Sequence, residues 1–278
     1  MVIPDITNPF YAQIVRGVEE TGIKNGYELM VCNSSLKPDL ERRRLDALQA
    51  QRVDGILLLP SSSYAARDVL ARNYPPIVFV DCFPIGSKVN CVVTDNIEAS
   101  YKVVRYLIGL GHRKIAVISA ELTYSTTIDR MEGYRKAMQE AGIPIRLEYT
   151  VQSTSNIEGG HRSGLRLLKL NEPPTAIFSL NNRITLGILQ AFRELRIPCP
   201  ERVSIISYDD PDWAVALTPG LTTIKQPMYQ IGAASAQLLL KVIRSAGSKV
   251  AKEVQQVQLT SKLIIRESTG PAPEISEV

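Results

Sequence analysis

Met1–Glu20 reads MVIPDITNPFYAQIVRGVEE and holds, in order, an apolar run, a polar loop and an amphipathic helix. Val2 to Pro4 has the character of the end of a buried strand. Asn8 is placed to cap a helix, and Pro9 falls in its first turn, where a missing N–H costs nothing. Phe10, Ile14, Val18 and Thr21 then recur on one helical face, and Gly26 marks the end. The same order repeats along the chain. Apolar runs at Glu28–Cys32, Gly55–Leu59, Ile77–Val80, Cys91–Thr94, Lys114–Ser119, Thr150–Ser153, Ala176–Leu180 and Ser204–Ser207 are the further candidate strands. Helical patterns lie near Pro38–Gln51, Ser63–Arg72, Ile97–Leu110, Thr127–Ala141, Asn156–Leu170, Asn182–Leu195 and Met228–Ser245. Such alternation predicts an α/β fold of parallel sheets with helices on both faces. At 278 residues the chain exceeds the roughly 150 residues of one average domain, so two sheets are expected, with a seam near Val92–Asn96.

Bulk chemistry narrows the function. Lys and Arg number 32 against 28 Asp and Glu, for a net charge of +4, and the basic residues are dispersed among acidic ones. The densest basic spot, Glu41 to Arg44, lies inside a helical pattern and reads as a solvated face rather than a phosphate-gripping stripe. No run approaches the roughly 18 apolar residues of a membrane span, and no secretion signal is visible. The cysteines, Cys32, Cys82, Cys91 and Cys199, have no CxxC spacing. Reduced thiols in a cytoplasmic protein are the expectation, with a Cys82–Cys91 disulfide as the alternative.

Catalytic constellations are missing. His112 and His161 are the only histidines, which excludes a His-rich metal site. There is no HExxH, GxSxG or GxxxxGK[ST] motif. Gly109-Leu110-Gly111 ends a helix and precedes a strand, the reverse of the dinucleotide-binding order. His112 reads as a structural residue at a helix C-terminus, where a cationic ring is favourable. Asp209 and Asp210 are adjacent, not a spaced acid–base pair. The chain is expected to be no enzyme and to carry no cofactor or metal.

In open parallel sheets, ligands bind beyond the carboxyl ends of the strands. The residues that follow the apolar runs are Asp5, Thr7, Asn8 and Phe10, then Asn33, Ser34 and Ser35, Ser61 and Ser62, and Asp81. In the second half they are Ser119 and Glu121, Asn181 and Asn182, and Asp209, Asp210 and Trp213. Carboxylates, amides, hydroxyls and a few rings at one edge suit a polyhydroxylated small molecule. The competing reading is that Asn8, Ser63 and Asn182 are only helix caps.

The stretches VIPDITNPFY, RVDGILLLP, TDNIEAS, GHRKIAVI, RMEGYRKAM, PPTAIFSLNN, SYDDPDWA, PGLTTIKQP and LIIREST, in this order, resemble the effector-binding core of the LacI/GalR family of bacterial transcription regulators, over about Val2 to Thr269. The resemblance implies a type I periplasmic-binding-protein-like fold: two doubly wound parallel-sheet subdomains joined by three crossover strands, with a sugar or similar effector between them. It divides the chain into residues 1–94 plus 226–256 and residues 95–225 plus 257–269, with a frayed tail over 270–278. It also implies a DNA-reading helix-turn-helix headpiece ahead of the core, so the chain reads as starting just inside the first core strand. Carried over by position, the ligand-facing residues are Asn8, Phe10, Tyr11, Asp81, Arg130, Asn181, Asp209 and Gln226. Trp213 is added as a ring that either stacks on the ligand or packs against its subdomain. For Arg130 the competing reading is an exposed helix charge. The sequence departs from the family pattern at Asn182, where Asp is usual, at Thr185, usually Ala, at Ser207, usually Gly, and near Ser155, where a ring is often found. A homodimer with operator DNA as partner through the headpiece is the implied assembly. The alternatives are a solute-binding protein of a sugar transporter and, behind it, an enzyme on an α/β fold.

Overall fold

The computed structural model describes residues 1–245 and 253–274. In chain order the elements are β1 (Val2–Ile3), α1 (Pro9–Ile23), β2 (Cys32–Asn33), α2 (Pro38–Ala50), β3 (Ile56–Leu58), α3 (Ser63–Leu70), β4 (Ile77–Val80) and β5 (Cys91–Thr94). Then come α4 (Asn96–Gly109), β6 (Ile115–Ser119), α5 (Ser125–Glu140), β7 (Thr150–Gln152), α6 (Ile157–Leu168), β8 (Ala176–Ser179), α7 (Asn182–Glu194) and β9 (Ser204–Tyr208). Last are β10 (Thr222–Lys225), α8 (Met228–Arg244), β11 (Gln256–Leu259) and β12 (Lys262–Ile264). The contacts group these into unit 1, residues 1–94, 123–126 and 227–260, and unit 2, residues 95–122, 127–226 and 261–278.

Unit 1 is a six-stranded sheet in the order β11-β5-β4-β3-β1-β2, parallel throughout. One face is closed by α1 and α8, through Phe10, Ile14, Val18, Ile231 and Leu239. The other is closed by α2 and α3, through Leu45, Leu48, Ala66 and Val69. Unit 2 has the order β12-β10-β9-β8-β6-β7. Its strands are parallel except for the antiparallel edge pair β10–β12. Side-chain alternation decides which face each residue serves. Ile115 and Val117 of β6 join Phe178, Ile206 and Tyr208 under α4 and α5. Ala116 and Ile118 join Ile177 and Ile205 under α6 and α7.

The expected helices are all present, and α1 begins as its sequence indicates: Asn8 Oδ1 accepts from the N–H of Phe10 and Pro9 opens the first turn. Two expectations change. The strand anticipated over Glu28–Cys32 is Cys32–Asn33, because β1 offers only Val2 and Ile3 for it to pair with. The strands β10, β11 and β12 mix polar with apolar residues and are not among the apolar runs of the sequence. Of the segment expected to fray from Gly270, the first residues are tied down. Gly270 N donates to Ser204 Oγ and Ala272 N to the Leu110 carbonyl; residues 275–278 lie outside the described residues.

Helix pairs in both units pack backbone against backbone. A Cβ on Gly232 of α8 would lie 2.0 Å from the Ile14 carbonyl oxygen of α1, and one on Gly187 of α7 would lie 2.0 Å from that of Ile157 in α6. No side-chain adjustment relieves a clash with backbone. Gly187→Ala is therefore expected to cost at least about 2 kcal/mol in chemical denaturation. Gly109→Ala, where an added Cβ meets nothing within 4 Å, is expected to be neutral or to gain up to about 1 kcal/mol.

Candidate functional site

The carboxyl edge of the unit 2 sheet gathers a buried polar cluster around Arg130, on the second turn of α5. Its Nε donates to Asn96 Oδ1 at 2.8 Å, and its Nη1 donates to the Leu180 carbonyl at 2.8 Å. The guanidinium carbon sits 3.5 Å above the centroid of the Tyr208 ring. Tyr208 is fully buried, and its hydroxyl also donates to Asn96 Oδ1, at 3.1 Å. With 8% of its surface exposed, Arg130 is not the solvated helix charge that was its alternative. A planar cation on a ring face, with two carbonyl-type acceptors in its plane, is held in one orientation. Its Nη2 edge enters neither bond.

Asp209 follows Tyr208 with φ +69°, a left-handed conformation for a non-glycine residue. Its Oδ1 accepts from Gln226 Nε2 at 2.6 Å. Burial pushes the Asp209 carboxyl up, and the Arg130 charge and the Gln226 bond oppose that shift only in part. Asp210 does something different. It takes Arg266 Nη1 at 2.7 Å, Thr223 Oγ1 at 2.8 Å and Lys225 Nζ at 3.6 Å. Burial raises its carboxyl, but the bonds from Arg266 and Thr223 more than offset this and hold it below the usual range. Asp210 is thus spent on stitching β9, β10 and the Arg266 segment together.

Asn181 caps α7, its Oδ1 accepting from the N–H groups of Arg183 at 2.8 Å and Ile184 at 3.2 Å. Trp213 is half-buried and packs against the α6–α7 face of the unit 2 core. On unit 1, Asn8 is buried and caps α1. The Phe10 ring belongs to the core and meets Tyr11 edge-on at 5.2 Å. Asp81, just after β4, is also left-handed, at φ +64°, and its N–H donates to the Val92 carbonyl at 2.8 Å. Beside it, Ser62 Oγ caps α3 by accepting from the Ala65 N–H. Glu41, 1% exposed on α2, accepts the N–H of Ser61.

The rest of the chemistry is structural. All four cysteines are free thiols, and Cys82 lies 3.3 Å from both Ser63 Oγ and Ser125 Oγ. His112 is fully buried, 2.9 Å from Thr175 Oγ1 and 3.1 Å from the Gly270 carbonyl. Burial lowers its pKa, with the bond to the Gly270 carbonyl acting against it; the shift opposes the cationic ring expected at a helix end. Among the described residues no His, Cys, Asp and Glu cluster could hold a metal ion, and no helix is long and apolar enough to cross a membrane.

The family model for a periplasmic-binding-protein-like domain matches residues 104–269. The HTH-type transcriptional repressor PurR of Mannheimia succiniciproducens is 33% identical over 271 residues, covering 96% of this chain and 80% of that protein. The ribose operon repressor of Escherichia coli K12 is 33% identical over 270 residues, covering 96% and 81%. A LacI family transcriptional regulator from Enterococcus faecium, crystallised with bound ribose, superposes with a TM-score of 0.83 at 29% identity, covering 97% of each chain. The chain belongs to the LacI/GalR family of transcriptional regulators. As a LacI/GalR effector-binding core, it has partners for Arg130 that the residue-by-residue reading passed over. Asn96 was visible only within TDNIEAS and Tyr208 only within SYDDPDWA, and a main-chain acceptor such as Leu180 leaves no mark in a sequence.

Burial pushes the Glu41 carboxyl up to about 7, with the Ser61 N–H acting against it. A carboxyl raised on folding holds its proton in the native state where the unfolded chain has lost it. Its contribution is therefore complete below the unfolded value near 4.5 and is lost as pH rises through about 7. Glu41→Gln removes that slope. The variant is expected to be more stable than the parent at pH 8, by no more than about 3 kcal/mol, with the gap closing toward pH 5 in denaturation series.

Proposed function

We propose that this LacI/GalR core recognises a sugar, or a similar polyhydroxylated molecule, at the carboxyl edge of the unit 2 sheet. Arg130 and Asp209 carry the recognition. The observation that supports this most is the pinned guanidinium: its plane is fixed by Tyr208, Asn96 and Leu180, which presets the remaining N–H groups for neighbouring hydroxyl oxygens. Asp209, buried next to that charge, accepts hydroxyl protons that Arg130 cannot. Gln226 orients Asp209, and Asn181 orders the start of α7. Asn8, Tyr11 and Asp81 on the unit 1 edge are proposed as further effector contacts, with Phe10 supporting Tyr11 from the core. Trp213 supports the edge by packing. The names of the Escherichia coli ribose operon repressor and the ribose-bound Enterococcus faecium regulator make D-ribose the first sugar to test.

The role is binding without turnover, in the cytoplasm, as part of a homodimer. Operator DNA is contacted by a helix-turn-helix headpiece of the kind the family carries, not by residues described here. The effector shifts the DNA-competent state by its differential affinity for two conformations, a coupling of about 1–3 kcal/mol.

Isothermal titration calorimetry against D-ribose and a panel of pentoses and hexoses is the test. For the sugar that binds, Asp209→Asn should weaken affinity by about 100-fold or more, the loss of charge-assisted bonds to two hydroxyls. An Asp209→Asn affinity equal to the parent's removes the proposed site.

A further inference from the structure

Three hydroxyls lie fully buried behind the Arg130–Asp209 edge: Ser179 at the end of β8, Thr185 in the first turns of α7 and Ser207 near the end of β9. Ser179 and Ser207 are register partners across the β8–β9 pair, so both side chains stand on the face that α7 covers. Thr185 reaches both. Its Oγ1 lies 2.8 Å from Ser179 Oγ and 2.7 Å from Ser207 Oγ. Thr185 thus bridges the two strand ends.

The outer contacts of the triad lead to the site. Ser207 Oγ donates to the Tyr208 carbonyl at 2.8 Å. That carbonyl belongs to the peptide joining Tyr208 to Asp209, and the orientation of this peptide plane defines the left-handed φ of Asp209. Ser179 Oγ donates to the Asn181 carbonyl at 3.2 Å, and Thr185 Oγ1 lies 2.9 Å from the same oxygen. Asn181 follows Leu180, whose own carbonyl receives Arg130. The triad therefore grips the main chain on either side of the guanidinium. Buried hydroxyls are costly without partners. Ser179 and Ser207 donate outward to main-chain carbonyls, and the one Thr185 proton is shared among the oxygens within its reach. Removing one loosens the others, so their effects are coupled.

We propose that Ser179, Thr185 and Ser207 are positioning residues, which set the Asp209 carboxylate and the Leu180 carbonyl against Arg130 and through them tune effector affinity. The affinity clause rests on the effector reading of the Arg130–Asp209 edge; the positioning clause does not. A site built on two strand ends is only as well placed as the contacts beneath it.

Thr185→Val removes the hydroxyl and keeps the shape, Thr185→Ser keeps the hydroxyl, and Ser207→Ala removes the bond to the Tyr208 carbonyl. The first readout needs no ligand: the titration of the Asp209 carboxyl, followed by carbon-13 NMR in protein labelled at aspartate. Ser207→Ala and Thr185→Val are expected to move it upward by about half a pH unit or more, because Arg130 and Gln226 hold it down only while they are correctly placed. Thr185→Ser should restore the parent curve. Should Ser207→Ala fail to fold, Thr185→Val and Ser179→Ala carry the same comparison. Asp209 titrations that superimpose on the parent's while the melting temperature falls would overturn the proposal and leave the triad as packing alone. The second readout is D-ribose affinity by calorimetry, compared with Asp209→Asn. If Asp209→Asn binds D-ribose as the parent does, the effector reading fails and the affinity clause with it, while the carboxyl titration still decides the positioning clause.

Discussion

A buried guanidinium organises unit 2. Stripped of water without partners, a charge of this kind costs several kcal/mol, so the surrounding structure has to replace part of its hydration shell. Here four elements contribute: α5 carries Arg130, the start of α4 brings Asn96, the end of β8 offers the Leu180 carbonyl, and the end of β9 places the face of Tyr208 beneath the ring plane. These bonds are intramolecular and made before any ligand arrives. A flexible surface arginine would meet its ordering cost on binding; Arg130 is ordered beforehand. The same contacts knit the helices and strand ends, so Arg130 also holds the fold at this edge.

The neighbouring carboxylates show how one short stretch divides its labour. Asp209 and Asp210 are adjacent in sequence yet serve different masters. Asp210 is neutralised by Arg266 and Lys225 and tied to Thr223, which joins β9 to the last segments of the chain. Asp209 is kept near Arg130 with a single amide donor from Gln226. Electrostatics explains the difference: Asp210's partners lower its pKa, whereas burial dominates at Asp209. A carboxyl held partly in check by one cation, and raised by its surroundings, gains from hydroxyl donors in a way that a saturated ion pair does not.

Much of the architecture was legible in the amino-acid order because the signals were local. Asn8 with Pro9 marks the start of α1, and Asn156 caps α6 through the Gly159 N–H; each is an N-cap visible over a few residues. The central strands β3, β4, β6, β8 and β9 read as apolar runs because both faces are buried. The last three strands of the chain did not. Thr222–Lys225, Gln256–Leu259 and Lys262–Ile264 mix polar and apolar residues over three or four positions, which periodicity alone cannot separate from loop. At the site, the chemistry of Asp209 and Arg130 was readable, while their environment was not. An arginine at a helical spacing looks solvated until the chain brings a tyrosine face and a carbonyl to it. Likewise Asn181 was placed at the right edge, but its side-chain oxygen is committed to the α7 cap, a non-local consequence of where that helix starts.

Each unit places a left-handed aspartate after the third strand of its sheet, counted from the β11 or β12 edge: Asp81 after β4 and Asp209 after β9. Left-handed backbone costs a side-chain-bearing residue roughly 1 kcal/mol or more relative to glycine. Glycine would remove that strain without altering the strand in front of it. Both positions instead keep a carboxylate, and the surrounding bonds hold the conformation: the Val92 carbonyl receives the Asp81 N–H, and Ser207 grips the peptide ahead of Asp209. Aspartate tolerates this region better than bulkier side chains do, and Ser35, Leu36, Arg52 and Arg196 are left-handed as well, so strain alone marks no site. What sets Asp81 and Asp209 apart is place: each is a carboxylate at the end of the third strand of its sheet, with its main chain fixed by a hydrogen bond.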